Sequence, residues 1–410
     1  MGTGTRAIAI VGCGVAGQAA ALFLHRAGHR VELFERFETP RPIGAGLLIQ
    51  PTGQAVLERL GLLDAALAHG AKVTRMVGHT VQGRTVLDVH YRHFRPDSFG
   101  LGLQRGTLFG LLHDAVARAG VALRTGAEIA AIETAGAARL VDAQGRRHGP
   151  FDLVLVADGT ESALRAKHGA VVRAPRYPFG ALWAVRDERG GASDMLRQRF
   201  DGTRRMAGLL PIGRLPGQPP GTRQVAVFWS LPNDRVEAWR AAGIAAWRRE
   251  LAAYWPDYAA YIDGIADSAA FLRAKYRDVV LRTPVAGRIL FVGDAAHGTS
   301  PQLGQGANLA LIDAATLADA LAETRDIDAA LALYEARRRR HLRFYQWASR
   351  WLTPLFQSDR NWLAPLRNVA MGTFGRWPVA RAEAAALMAG VSLGPFRRLD
   401  LETLRNGHRR

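Results

Sequence analysis

Ala7-Ile8-Ala9-Ile10-Val11-Gly12-Cys13-Gly14-Val15-Ala16-Gly17, close to the start of the chain, sets its fold class. An apolar run of five residues leads straight into glycines at 12, 14 and 17, the spacing of a dinucleotide-binding loop between a strand and a helix. Gly12 permits the tight turn, Gly14 lets backbone approach a pyrophosphate, and Gly17 lets the helix pack on the strand. Outward from the loop, Ala16 to Ala27 reads as a helix and Val31 to Phe34 as a second strand, closed by Glu35. The start of that helix offers unpaired N–H groups and a partial positive charge to phosphate. The unit is therefore the opening strand–turn–helix of an α/β fold.

Two more glycine-punctuated motifs follow in order. Asp158-Gly159 comes after Leu153 to Val156, and Gly293-Asp294-Ala295-Ala296-His297 comes after Ile289 to Val292. The latter leads into Pro301-Gln302-Leu303-Gly304-Gln305-Gly306-Ala307-Asn308. Each lies at the exit of a buried strand, where α/β sheets bind nucleotides. Glu35 would accept hydrogen bonds from ribose hydroxyls and repel a 2′-phosphate, so the first loop suits FAD or NAD rather than NADP. No second GxGxxG occurs, so one dinucleotide has a dedicated fold, and non-covalent FAD is its better occupant. Asp158 and Asp294 also read as strand-end caps, and His297 reads as a supporting residue rather than a base.

A chain of 410 residues with 48% hydrophobic content can bury a large core and suggests two to three domains. The single cysteine, Cys13, excludes an internal disulfide, a zinc cluster and a CxxC redox pair, so no metal site is expected. That usage suits a reducing cytoplasm. No run of about 18 apolar residues suggests a membrane span. The formal charge is +18, and 51 of the 54 cations are arginines.

The first strand, helix and second strand are followed by a helix over residues 53–70 and a hairpin over 73–92 that turns at Gly83. Thr107 to Ala119 reads as a helix with Thr107 as its N-cap. Between residues 173 and 285 the character changes to strand-like runs, Ala181 to Val185, Ala207 to Ile212 and Val225 to Leu231. This segment reads as an antiparallel sheet inserted into the nucleotide domain. From Gly304 onward the chain reads as mostly helical.

In these three fingerprints and their order the sequence resembles the class A flavoprotein monooxygenases, the aromatic hydroxylases with the p-hydroxybenzoate hydroxylase fold, over roughly residues 6–345. The resemblance implies an α/β, Rossmann-like FAD-binding domain made of residues 1–72, 99–172 and 277–345. It is interrupted by a mainly antiparallel β substrate domain, residues 73–98 and 173–276, and finished by a helical region, 346–410. It assigns FAD contacts to Gly12, Gly14, Val15, Ala16, Gly17, Glu35, Arg36, Gly46, Arg105, Asp158, Asp294, Pro301, Gly304, Gly306, Ala307 and Asn308. Arg105 matches an arginine on the FAD diphosphate, and Gly44-Ala45-Gly46 to Gln50-Pro51 resembles the mobile segment beside the isoalloxazine. The implied activity is hydroxylation of an aromatic or activated ring through a flavin C4a-hydroperoxide, with NADH or NADPH as transient co-substrate and molecular oxygen as oxidant. No protein nucleophile is needed, and Tyr177 and the histidines are open candidates for a base toward a phenolic substrate. Trp183, Phe228 and Trp229 either line a substrate cavity or simply pack.

The C-terminal region carries Trp347, Trp351, Trp362 and Trp377 interleaved with arginine. From Glu335 to Arg410 fifteen arginines stand against five acids. Leu352-Thr-Pro-Leu-Phe-Gln-Ser-Asp359 is similar to a segment of the ubiquinone-biosynthesis-type hydroxylases in the class. The basic aromatic tail suits peripheral contact with a membrane or a carrier, and hence a lipophilic substrate. Alternatively it packs on the FAD domain or a second subunit, or forms a solvated face. No specific nucleic acid is expected, and the oligomeric state is open. Rival readings are a halogenase or a dehydrogenase or reductase on the same fold, and a non-catalytic binding protein that uses the basic tail. The absence of a Trp-x-Trp-x-Ile-Pro motif counts against the halogenase.

Overall fold

The computed structural model describes residues 4–42, 44–189, 193–375 and 377–407. At its centre Ala7–Val11 forms a strand flanked in parallel by Arg30–Phe34 and Leu153–Val156, with Ile8 beside both Val31 and Leu153. The full sheet runs Val285–Ala286, Ile289–Phe291, Leu153–Val156, Ala7–Val11, Arg30–Phe34, Ala122–Arg124. Only the edge strand Val285–Ala286 is antiparallel to its neighbour. A parallel sheet must be covered on both faces, because its crossovers return across them. Strand alternation delivers this. Ile8 and Ile10 face the helices Val15–Arg26, Arg105–Arg118 and Gly306–Glu323, while Ala9 and Val11 face a small sheet of Ile129–Glu133, Ala138–Asp142 and Arg147–Phe151.

A seven-stranded sheet forms the second layer. Its order is Leu272–Ala274, Phe179–Asp187, Gln224–Pro232, Arg205–Gly213, Met195–Asp201, Arg75–Thr80, Thr85–His90. All pairings are antiparallel except that between Met195–Asp201 and Arg75–Thr80, which joins two segments distant in the chain. On one face Leu182, Leu209, Val227 and Trp229 pack against the helices Val236–Tyr254 and Pro256–Ile262. On the other, Leu210, Ile212, Ala226 and Phe228 meet Leu48, Leu303 and the C-terminal helices. Among the three aromatics singled out from the sequence, Trp229 stacks edge-on against Trp247 and Tyr254, in the helix-covered core. Trp183 and Phe228 lie together on the other face, ring centroids 4.8 Å apart.

Several sequence expectations are corrected. Residues 53–70 form two helices, Pro51–Arg59 and Leu63–His69, because Gly61 at φ +69° closes the first. The helix expected from Thr107 starts at Arg105, with Gln104 as N-cap, and the Thr107 hydroxyl donates to the Arg214 carbonyl instead. The inserted segment contains the helices Val236–Tyr254 and Pro256–Ile262 as well as strands. One helix, Ile327–Phe356, runs unbroken through residue 345.

The two layers meet through Gly46–Ile49, Gly100–Gln104 and Ala71–Val73. A β-carbon at Gly102 would collide with the Pro211 carbonyl oxygen, and one at Gly46 would lie 2.8 Å from both Ala226 and Ile212. Gly102→Ala should therefore destabilise the protein by about 1–3 kcal/mol through overpacking. Urea unfolding checks this, and an unchanged midpoint would contradict the close approach of the layers.

Candidate functional site

Because the central strands are parallel, their exits lie on one edge, and the motif residues gather there. Gly12, at φ +108°, follows Val11 and donates its N–H to the Phe34 carbonyl at 2.8 Å. A β-carbon on Gly12 would lie 2.5 Å from the Ala157 carbonyl oxygen, and one on Gly17 would overlap the Gly12 carbonyl oxygen. One on Gly14 or Gly159 would meet nothing within 4 Å. The loop is thus tight where it touches protein and open along the outer edge at Gly14, the shape that a phosphate-bearing ligand needs. Glu35 accepts from the Cys13 N–H at 2.9 Å and the Phe37 N–H at 3.1 Å, which fixes the loop and the strand end together. Arg36 is exposed beside it. Burial, with Glu35 second, pushes the Cys13 thiol up to about 12, so it stays protonated and inert.

The other two strand exits close on this loop. Gly293 packs so that its β-carbon would lie 2.9 Å from Ala16. Asp294 is exposed, and its Oδ1 would be 3.6 Å from a β-carbon on Gly306. Arg165, buried, donates to the carbonyls of Thr160 at 2.6 Å and Ala295 at 3.1 Å, tying the second motif to the third. Burial pushes the Asp158 carboxyl up, and its Oδ1 has no hydrogen-bond partner.

A second patch lies around Gly304, which is left-handed at φ +60° and stands before the helix Gly306–Glu323, whose first turn includes Ala307 and Asn308. Asn308 is fully buried. Its Oδ1 accepts from the Gln50 N–H at 2.8 Å, and its Nδ2 donates to the carbonyls of Leu48 at 3.1 Å and Gly304 at 2.9 Å. The side chain expected to meet a ligand is therefore a clamp, and Asn308 can offer only backbone. Gln50 accepts the Tyr91 hydroxyl on Oε1 at 2.6 Å, while its buried Nε2 has no partner and points toward Gly304. Arg105 lies across Gly44, whose β-carbon would be 2.6 Å from its Cδ. Gly46 is packed against the second sheet.

The loop Pro301–Leu303 is braced by Ser349 and Ser230, which no motif singled out, and by Thr353 and Gln357 of the Leu352–Asp359 string. Ser300 Oγ lies 2.8 Å from Ser349 Oγ and 2.6 Å from Thr353 Oγ1. Gln302 donates to Gln357 at 2.8 Å, and Gln357 donates to Ser230 at 2.6 Å, so a polar chain runs from loop to tail to sheet. Tyr177 lies beside Ser300 and Ser349, and its hydroxyl closes no hydrogen bond; burial, then Asp278, pushes the phenol up.

Beneath both patches lies a buried ionic chain. Asp313 Oδ2 accepts from the Gly293 N–H at 2.9 Å and from His297 Nε2 at 2.6 Å, and Oδ1 accepts from Arg338 Nε at 2.8 Å. Arg338 donates to His341 Nδ1 at 2.7 Å, and His341 Nε2 donates to the Gly390 carbonyl at 2.7 Å. Burial would raise Asp313, but His297, Arg338 and the Gly293 N–H outweigh it and hold the carboxyl well below the usual range. Burial, then Arg338, lowers His341 to about 3, so the ring is neutral. A lone charge inside the apolar run Leu309 to Leu317 was the sequence signal for Asp313.

These features fit FAD: an open edge at Gly14, donors at helix starts, and unmet polar atoms at Asp158 and Gln50. Residues 5–346 match the family described as FAD binding domain. The chain belongs to this family. It is an FAD-dependent enzyme with the class A flavoprotein monooxygenase fold. It is 28% identical to 2-heptyl-3-hydroxy-4(1H)-quinolone synthase of Mycobacteroides abscessus, over 80% of this chain and 84% of that protein. It is 30% identical to 6-methylpretetramide 4-monooxygenase of Streptomyces rimosus, over 77% of this chain and 75% of that protein. Among solved structures, P. aeruginosa PqsL in complex with 2-aminobenzoylacetate superposes with TM-score 0.76 at 23% identity, over 88% of this chain and all of PqsL. Among the described residues no helix is long and apolar enough to cross a membrane.

Because His341 is neutral when folded and takes a proton near 6.5 when unfolded, the unfolded chain binds more protons below that pH. The stabilisation is complete above about 6.5 and declines as pH falls toward about 3. His341→Gln should flatten the fall by up to about 1.4 kcal/mol per pH unit. Urea unfolding of both proteins across this range checks it, and parallel stability curves would contradict the neutral buried ring.

Proposed function

We propose that the enzyme hydroxylates an aromatic ring of a lipophilic substrate, with NADH or NADPH as transient electron donor and molecular oxygen as oxidant. The observation that carries this reading is the apolar seam between the loop at Pro301–Gly304 and the second sheet. Leu48, Leu210, Phe228 and Leu303 share one cluster there, with Trp183 packed against it and the unmet Gln50 Nε2 nearby. Such a seam excludes water and would offer an apolar wall to a planar ring, with Gln50 left to orient a polar substituent. The relatives named for making a quinolone and for oxygenating a pretetramide support the same substrate class. The overall balance is one C–H, O2, NAD(P)H and a proton giving one C–OH, water and NAD(P)+.

In this reading residues 1–72, 99–172 and 277 onward into the helix Ile327–Phe356 would hold FAD, and residues 73–98 and 173–276 would close over the substrate. FAD, when bound, supplies electron transfer from the nicotinamide and activation of oxygen. The N–H groups of Val15, Ala16 and Gly17 would cradle the diphosphate with Arg105, Glu35 would hold the ribose, and Asp294 would hold the linker toward the ring. The helix start at Gly306 to Asn308 would offer its partial positive charge to a flavin ring held beside it. Tyr177 keeps its proton at neutral pH, so its part is donor rather than base.

Oxygen-dependent NAD(P)H consumption against phenols, alkylated quinolones and quinone precursors tests this. At least one compound should accelerate consumption and gain one oxygen atom from isotopically labelled oxygen gas. A halogenated product, or a reduced one with no added oxygen, would overturn the proposal. On the cofactor side, Gly14→Val should leave the fold intact and empty the FAD site, because its side chain enters the open edge. Asp294→Ala should weaken FAD by about 1–3 kcal/mol. Parent-like fluorescence titrations for both variants would contradict these placements.

A further inference from the structure

Eight of the eleven large hydrophobic side chains left exposed among the described residues lie between Trp347 and Phe396. Four are tryptophans, 347, 351, 362 and 377, each 54–67% exposed. On the long helix Ile327–Phe356 the outer stripe reads Ala336, Arg339, Arg340, Arg343, Phe344, Trp347, Trp351, the spacing of one helical face. Six of these, with Leu393, line a groove of about 430 Å³. Phe344 stacks on Trp347, and Trp347 lies 5.9 Å from Trp351. The next helix, Leu363–Val369, exposes Leu366 and Val369, and Trp362 stands at its start.

We propose that this face docks on an anionic lipid bilayer. Tryptophan favours a boundary where its ring is apolar and its N–H is wet. Arginine beside it reaches anionic headgroups, and Arg343 makes no ion pair among the described residues. Leu366, Val369 and Val379 suit hydrocarbon and have no use for nucleic-acid phosphates. A second copy docked through the same face would bring like-charged arginine stripes together, which disfavours a self-pair. The opposite face of this helix carries Ser349, Thr353 and Gln357 to the loop at Ser300–Gln302, so the docked surface lies one helix away from the site.

Co-sedimentation of the full chain with phosphatidylcholine vesicles, and with phosphatidylcholine mixed with phosphatidylglycerol, tests it without any need for turnover. The protein should pellet with the anionic vesicles and be released by high salt. Arg343→Gln should weaken that binding about fivefold. Trp347→Ala with Trp351→Ala should weaken it further while leaving turnover of a water-soluble substrate unchanged. A folded parent protein that stays in solution with anionic vesicles would overturn the proposal. So would a dimer by light scattering that the tryptophan pair alone dissociates, which would assign the face to a second copy of the chain.

Discussion

The helix Val15–Arg26 lies so close to the first strand that no β-carbon fits at Gly17 against the Gly12 carbonyl, and the rest of the site is arranged around that contact. With no side chain between them, the helix start is held level with the strand exits rather than beside them. Gly293 repeats the device two motifs later, where it packs directly on Ala16. The helix Gly306–Glu323 is thereby drawn onto the same helix, and its own start faces Asp294. Parallel pairing does the remaining work, since it sends Glu35, Asp158 and Asp294 to one edge.

A buried carboxylate keeps that arrangement rigid. An unpaired Asp313 would be costly in this interior, and it is retained because two cationic or donating side chains and a backbone N–H meet it. Through Arg338 it fixes the third motif to the long helix, which at about 1.5 Å per residue spans about 45 Å. The same helix reaches the loop at Ser300–Gln302 through Ser349, Thr353 and Gln357 and the second sheet through Ser230. One rod therefore links the cofactor edge, the substrate seam and the exposed aromatic face.

What the sequence made legible was local. Gly12, Gly14 and Gly17 are demanded by a turn, an open edge and a close approach within six residues, so their spacing alone points to them. The unbroken apolar run from Val225 to Trp229 likewise marks a strand with two covered faces. The long-range partnerships were hidden. Arg338 sits in the run Arg337–Arg340, which reads as a solvated face, yet it is buried because Asp313 waits on another helix. Asn308 has the right motif position, but its clamp on Gln50 and Leu48 depends on a strand some 260 residues earlier. Thr107 looked like a cap, and the carbonyl of Arg214 claims it from another layer.

The decisive measurement is the flavin content of the purified chain, read from its visible spectrum and from the identity of what denaturation releases. The arrangement at Gly14, Asp294 and Gly306 predicts yellow protein that carries one FAD per chain, released intact. A colourless protein that takes up no added FAD, or one that carries FMN or a covalent flavin, would contradict it.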